Sequence, residues 1–454
     1  MKVKSSFITS QEIKKIHDTT LTVLSEVGVK FQHQEALAVF SRFGARVENE
    51  IVYISEDIVN KALSTVPSSF ILRGRDAKND QLIGGLDPVF APASGPVFIN
   101  ENNRRRPVTR DDYIDLIKLC ETSPVIDVVN PNIVEPQDMP VDQRPMFQMR
   151  TCLKYSSKPL IGITTGLDTA KNCLNLLDQV YQNNNDYYLM GIISPISPLV
   201  YETTMVDSIF AYAEKNQPLM LASCSLPGGT SPVSLAGTLV IDNAQVLAGI
   251  VLVQLIKPGL PVIYANTSSS CDLRYVNPCI GSPETGLITI AAAELARFYN
   301  IPSRSGGGLT DAKAVDMQAG IESAMTILPA LMSGVSFMLQ SCGITDSFNS
   351  LSFEKFIIDE EIIRFAGRFV KGFEVSDDLL GLDVIKKVGP GGCFLGEHHT
   401  MEHFKKELFN TSLFAKEGYA QWQRQGAFSV NKKAKQEVQK RLSEYKLPSV
   451  LRYF

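Results

Sequence analysis

Between residues 97 and 339 the chain repeats one pattern. A short run of aliphatic or β-branched residues gives way to a longer stretch whose apolar positions recur with helical spacing. The short runs fall at 97–100, 125–134, 160–164, 188–193, 219–224, 262–266, 302–305 and 336–339. Helix-like stretches follow them, such as DDYIDLIKLCE after the first and NAQVLAGIVLVQLIK after the fifth. Short apolar runs alternating with amphipathic stretches predict parallel βαβ units. Eight such units with no G-x-G-x-x-G after the first strand favour a closed α/β (β/α)8 TIM barrel over an open doubly wound sheet. The barrel is expected over residues 86–352.

Two helical parts flank it. Residues 1–85 read as an N-terminal cap, where Thr9 and Glu12 form a capping box ahead of Ile13, Ile16, Leu21, Leu24 and Val27, and Gly28 supplies a stop. Further helices are expected over 35–43 and 55–66, with RVENEIVYI between them as a strand pair. Residues 353–454 read as a helical extension packed on the barrel, with a second glycine cluster, GPGGCFLGEHHT, inside it.

The predicted strands end in small polar or Gly/Pro-containing pieces: NPN, TTG, SPISP, SCSLPGG, NTSSS, SGGGLTD and QSCG. Barrel enzymes build their sites from these loops. A purely structural barrel has no need of so many small polar residues at one end, so a cavity is expected there.

Composition narrows the function classes. The 454 residues carry 44 Lys and Arg against 48 Asp and Glu, a net charge of −4, which argues against a nucleic-acid partner. No apolar run of the ~18 residues that span a membrane is expected, and the lysine-containing N-terminus lacks the apolar core of a secretory signal. Eight cysteines without a C-x-x-C pair or regular spacing suggest reduced thiols and a cytoplasmic protein.

The stretch RSGGGLTDAKAVDMQAGIE, from Arg304 to Glu322, concentrates the candidate chemistry. Gly306, Gly307 and Gly308 would let the backbone approach a ligand closely, and Asp311, Asp316 and Gln318 follow at once. A Walker A loop is excluded, because Lys313 stands between alanines. Asp316, where the helix starts, reads first as an N-cap. Of five histidines, three cluster in EHHTMEH, and His399 and His403 are four apart, on one helix face. A zinc site there lacks a distant third ligand, so no metal is expected. It survives as an alternative, a metal-dependent barrel hydrolase or lyase using His398, His399 and His403. No G-x-S-x-G elbow and no distinctive cysteine supplies a nucleophile.

GGGLTDAKAVDMQAGIE, GPGGCFLGEHHT and YAQWQRQG, in this order, resemble the trimethylamine methyltransferase (MttB) superfamily over nearly the whole chain. The resemblance implies a barrel that moves a methyl group from a methylated amine to the cobalt of a corrinoid (cobalamin) on a separate protein. No tightly bound cofactor of its own is then expected, and self-association is. The archaeal trimethylamine enzyme carries pyrrolysine at the place the resemblance assigns to Ala319. The resemblance therefore points to the branch without it, associated with quaternary amines such as glycine betaine, proline betaine and carnitine. Asp311, Asp316 and Gln318 become candidate catalytic residues, and the three glycines candidate cofactor-binding ones. A cation without N–H donors calls for aromatic and acidic neighbours, for which Tyr201, Glu202, Tyr264 and Phe348 are candidates. Arg304, His398 and His399 are candidates for a substrate carboxylate. A barrel that binds such an amine without catalysis is a further alternative.

Overall fold

A computed structural model of the chain describes residues 6–181 and 186–451. Its centre is a seven-stranded parallel sheet. In spatial order the strands are Val89–Phe90, Phe337–Leu339, Ser303–Gly306, Val262–Asn266, Leu219–Ser223, Leu189–Ile193 and Leu160–Ile161. The two outer strands do not face open solvent. Asp127 and Val128 donate their N–H groups to Phe90 O, and Val129 bridges Leu160 in parallel.

Alternation along the strands sorts their side chains onto two faces. Val89, Ile161, Met190, Met220, Ala222, Ile263, Ala265, Phe337 and Leu339 form one buried cluster with Ala91 and Val128. The intervening residues, including Leu219, Leu221 and Tyr264, join the larger core under the helices. A sheet buried on both faces explains why its strands are apolar throughout.

Two expected strands differ. Residues 97–100 lie outside this sheet, because the chain holds Val-Phe twice and the first copy, Val89–Phe90, takes the central place. The second copy belongs to Phe98–Glu101, which pairs with Arg104–Pro107 and with Ser350–Leu351 in a small sheet built from loops that follow the first and last central strands. Residues 125–134 form no continuous strand, and Pro131 within them has no N–H to give.

The helix Leu235–Ile256 is long and apolar enough to cross a membrane by length and composition. This corrects the reading that no such run exists. Most of it is buried against protein instead, with Asp242, Asn243, Gln245 and Gln254 inside the core. Asn243 donates to Thr20 Oγ1 (3.0 Å) and Tyr299 Oη (2.8 Å) and accepts from Tyr264 Oη (3.0 Å). That joins the first helix, Ser10–Thr22, to the sheet. The N-terminal strand Val29–Phe31 also pairs in parallel with Val200–Tyr201, beyond the Leu189–Ile193 strand. At the other end of the chain, helix Phe353–Lys371 packs against Val430–Glu444, and Arg441 and Glu360 close an ion pair at 2.7 Å between them.

Candidate active site at the carboxyl ends of the strands

Asp242 fixes the strand ends. Its carboxylate accepts from Ser223 Oγ at 2.6 Å and from Asn266 Nδ2 at 2.8 Å, the last residues of adjacent strands. Burial pushes this carboxyl up, and the surrounding hydroxyl and amide donors oppose the shift. Gln245, one helical turn on, donates to Ser223 Oγ (2.6 Å) and accepts from Leu199 N (2.8 Å). Three successive loops are thereby held to one helix. These small polar residues at the strand ends are spent on positioning.

Arg304 is the unusual group inside the sheet. Its register partners are Ala265 and Phe337, both of the interior cluster, so it shares their face. It is 3% exposed, and its Nη1 donates to Asn266 O at 2.9 Å. Nε is buried with no partner, and no carboxylate stands against the guanidinium among the described residues. Burial lowers it to about 9. Nearby Cys224 is open to solvent, yet desolvation pushes its thiol up. Two positions beyond Ala222 in the chain, Cys224 continues the face that Arg304 shares, and its exposure marks an open recess at the strand ends.

The 304–322 stretch is placed at this end, but most of its predicted groups are already occupied. A Cβ on Gly307 would lie 2.6 Å from Ser341 Cα, and one on Gly308 2.5 Å from Ser341 O. These glycines serve close packing against the neighbouring loop, which their expected role in holding a cofactor did not foresee. The Asp311 carboxylate accepts from Ile280 N (3.0 Å), Gly281 N (3.1 Å) and Ser347 Oγ (2.6 Å), tying two loops together. Asp316 is the N-cap of helix Met317–Ser333. Gln318 is exposed and donates to Glu322 Oε1 at 2.8 Å, and Ala319 is buried in the same first turn.

The other candidates do not gather around the recess. Tyr201 and Tyr264 are buried in the core beneath the helices. Tyr201 stacks on Phe31 with centroids 4.8 Å apart and donates to Gln245 O. Neither ring offers the interior face that a cation cage requires. Glu202 precedes helix Thr203–Glu214 and accepts from Thr204 Oγ1. Phe348 is half-buried and ends a run of three left-handed residues, Asp346, Ser347 and Phe348. Such a run persists only where its surroundings over-determine it. Arg105 Nη1 (3.0 Å from Asp346), Ala312 O and Thr310 O hold it in place.

His398, His399 and His403 lie on helix His398–Glu407, which has no buried residue and packs near the far end of helix Phe353–Lys371. His398 is solvent-exposed, His399 meets Asp378 O at 3.1 Å, and His403 lies 3.2 Å from the Asp378 carboxylate. No cluster of three or more metal-ligating side chains occurs among the described residues.

Sequence reasoning missed Asp242, Gln245 and the buried pair Lys355–Asp359, whose closest atoms are 2.6 Å apart beneath Gly308. The signal for the first two was present: three polar residues, in DNAQ, interrupting an otherwise apolar helix.

The family described as trimethylamine methyltransferase (MTTB) matches residues 3–452. The chain belongs to that family. Among its relatives is a glycine betaine methyltransferase of Desulfitobacterium hafniense (strain Y51), 38% identical over 98% of this chain and 94% of the relative. An L-carnitine:corrinoid methyltransferase of Eubacterium limosum is 36% identical over 97% and 94%. The solved Methanosarcina barkeri monomethylamine methyltransferase shares the fold, with a TM-score of 0.58 at 13% identity over 99% of this chain and 90% of its own.

Proposed function

We propose that this protein transfers a methyl group from a quaternary amine of the betaine or carnitine type to the Co(I) of a corrinoid carried by a partner protein. The end-to-end match to methyltransferases named for glycine betaine and for L-carnitine with corrinoid carries the reading. The site's chemistry supports it. Asp242, Ser223 and Asn266 are committed to one another, and no nucleophile paired with a base lines the strand ends.

The transfer needs neither. The C–N bond of a quaternary ammonium breaks with its electron pair staying on nitrogen, a neutral tertiary amine leaves, and no proton moves. The corrinoid supplies the nucleophilic electron pair that forms the new bond to carbon. The protein's residues hold the methyl in line, an orientation effect. The apolar cluster beneath the strand ends, with Ala222 and Ala265, also favours a step in which the donor's positive charge disappears.

In this reading residues 127–129 complete the sheet as an eighth position between Val89–Phe90 and Leu160–Ile161, closing a (β/α)8 barrel. Residues 1–85 and 353–454 act as cap and extension around 86–352. The working location is the cytoplasm, where corrinoid stays reduced. Phe348 and Arg304 are the predicted site residues that retain a place at the mouth. The exposed apolar side chains Phe365, Phe369 and Phe373 offer a surface for self-association.

The test mixes purified protein, Co(I) cobalamin and a panel of glycine betaine, proline betaine and carnitine, and follows the cobalt absorbance. Methylation with at least one substrate is expected. Calorimetric binding with no methylation of free or protein-bound corrinoid would mark a binding barrel instead.

A further inference from the structure

Arg304 is a buried cation that the fold leaves without a counter-charge. Buried charges are ordinarily paired or fully hydrogen-bonded. Here the guanidinium has one hydrogen bond, to Asn266 O at 2.9 Å, while Nε is enclosed and unpartnered. With Nη1 engaged, Nε and Nη2 are left as one parallel pair of N–H donors. That pair is the fork that matches the two oxygens of a carboxylate.

The side chains level with Arg304 are small. Across the sheet stand Ala265 and then Ala222, which with Ala91 are the smallest of the interior cluster. The guanidinium leans toward the mouth, because Asn266 is the last residue of its strand and lies one residue beyond the register partner Ala265. Water-exposed Cys224, next in the chain after Ser223, marks open space on the same side. Among the described residues the two other buried cations, both lysines, are satisfied. Lys158 donates to three backbone carbonyls, and Lys355 to Asp359, Ser323 and Gly308 O. Of these three buried cations only Arg304 lacks such a set of partners, and it faces the interior.

We propose that Arg304 binds the carboxylate of a zwitterionic substrate through its free Nε–Nη2 edge, anchoring that end in the recess and leaving the onium methyls toward the mouth. The inference rests on the methyl-transfer reading for the identity of the onium end, but the carboxylate contact stands on the geometry alone. It also assigns the substrate's polarity: carboxylate inward, methyl outward, where an acceptor on another protein can reach it. After transfer the remaining amino acid keeps its carboxylate on the arginine.

Calorimetry tests this with glycine betaine, proline betaine and carnitine, each paired with its methyl ester, which removes the carboxylate charge at nearly constant shape. For at least one of the three, the wild type is expected to bind the acid about tenfold or more tighter than the ester. In Arg304→Met that ratio should fall to about one through weaker acid binding, with ester affinity kept or improved because a repelling cation is gone. Arg304→Lys should fall between, since it keeps the charge and loses the fork.

A purely structural arginine predicts equal losses for acid and ester together with a lower thermal midpoint. That result overturns the proposal, as does a wild type indifferent to esterification or blind to all three acids. If Arg304→Met fails to fold, Arg304→Lys decides by the same acid-to-ester ratio, and an unchanged ratio sinks the idea. Selective acid binding without cobalt methylation would defeat the methyl-transfer reading and leave this one standing. Cobalt methylation unaffected by Arg304→Met would do the reverse.

Discussion

Gly307→Ala separates a glycine needed for packing from one needed for a ligand. The added Cβ would sit 2.6 Å from Ser341 Cα, 2.8 Å from Ser341 Oγ and 3.1 Å from Ser341 Cβ. The obstacle is backbone on a neighbouring loop, so no rotamer change relieves it. Ser341 is itself fixed, with its N–H on Ala91 O and its hydroxyl on Met338 O. Gly307 O also accepts from Thr326 Oγ1 at 2.6 Å, a contact that a backbone shift would stretch. Overpacking of a close-packed interior costs about 1–3 kcal/mol, and a backbone obstacle places this case in the upper half of that range. Gly320→Ala is the control. It sits in helix Met317–Ser333 with nothing within 4 Å of its Cβ position, and a helical Gly→Ala gains up to about 1 kcal/mol. Urea denaturation of both variants should move the midpoint in opposite directions. The reasoning fails if Gly307→Ala unfolds within about 0.5 kcal/mol of wild type while its KM for the methyl donor rises sharply. That outcome would return the glycines to the ligand.

Three further predictions follow from buried groups. Asp242→Ala leaves Ser223 Oγ and Asn266 Nδ2 without their acceptor; at about 1–3 kcal/mol for each of the two unsatisfied donors, denaturation should show a loss of about 2–6 kcal/mol, and the methyl-transfer rate should fall as two strand ends loosen. Lys355→Met strands the buried Asp359 carboxylate and should cost ~3–5 kcal/mol, while Lys355→Met/Asp359→Leu recovers much of that loss; a double variant no better than the single would contradict the pairing. Asp127, whose carboxyl accepts from Phe90 N at 2.9 Å, is pushed by burial from the ordinary carboxylate range to about 6. Between pH 4 and pH 6 the folded state then holds more protons than the unfolded one. This residue's contribution to stability therefore declines as pH rises. Asp127→Asn should flatten the stability profile over that window, and a profile parallel to wild type would refute the assignment.

The sequence and the structure agree best where local pattern carries the information. The strand expected at 262–266 is found as Val262–Asn266, and the Thr9–Glu12 capping box starts the first helix as predicted. They part where two copies of a pattern compete. Val89–Phe90 and Val97–Phe98 are indistinguishable as short apolar runs, and only their partners, Phe337–Met338 for one and Ser350–Leu351 for the other, assign them to different sheets. The candidate site divides in the same way. Arg304 and the small polar strand ends were legible as a group at one end of the strands. Tyr201 and Tyr264 were not legible as core, because period-two alternation says that neighbours face opposite ways without saying which way is inward.

By itself, then, the sequence determined the alternation of strands and helices and the family, since these depend on period, composition and linear motifs. Tertiary structure decided which polar groups are spent and which are free. Asp311, Asp316 and Gln318 look alike as letters beside a glycine run, and they become a loop tie, a helix cap and a surface contact once Ile280, Ser347 and Glu322 arrive from elsewhere in the chain. Arg304 looked like one strand-end arginine among several charged residues. Its lack of a counter-charge depends on what the whole sheet brings around it, and no local stretch contains that information.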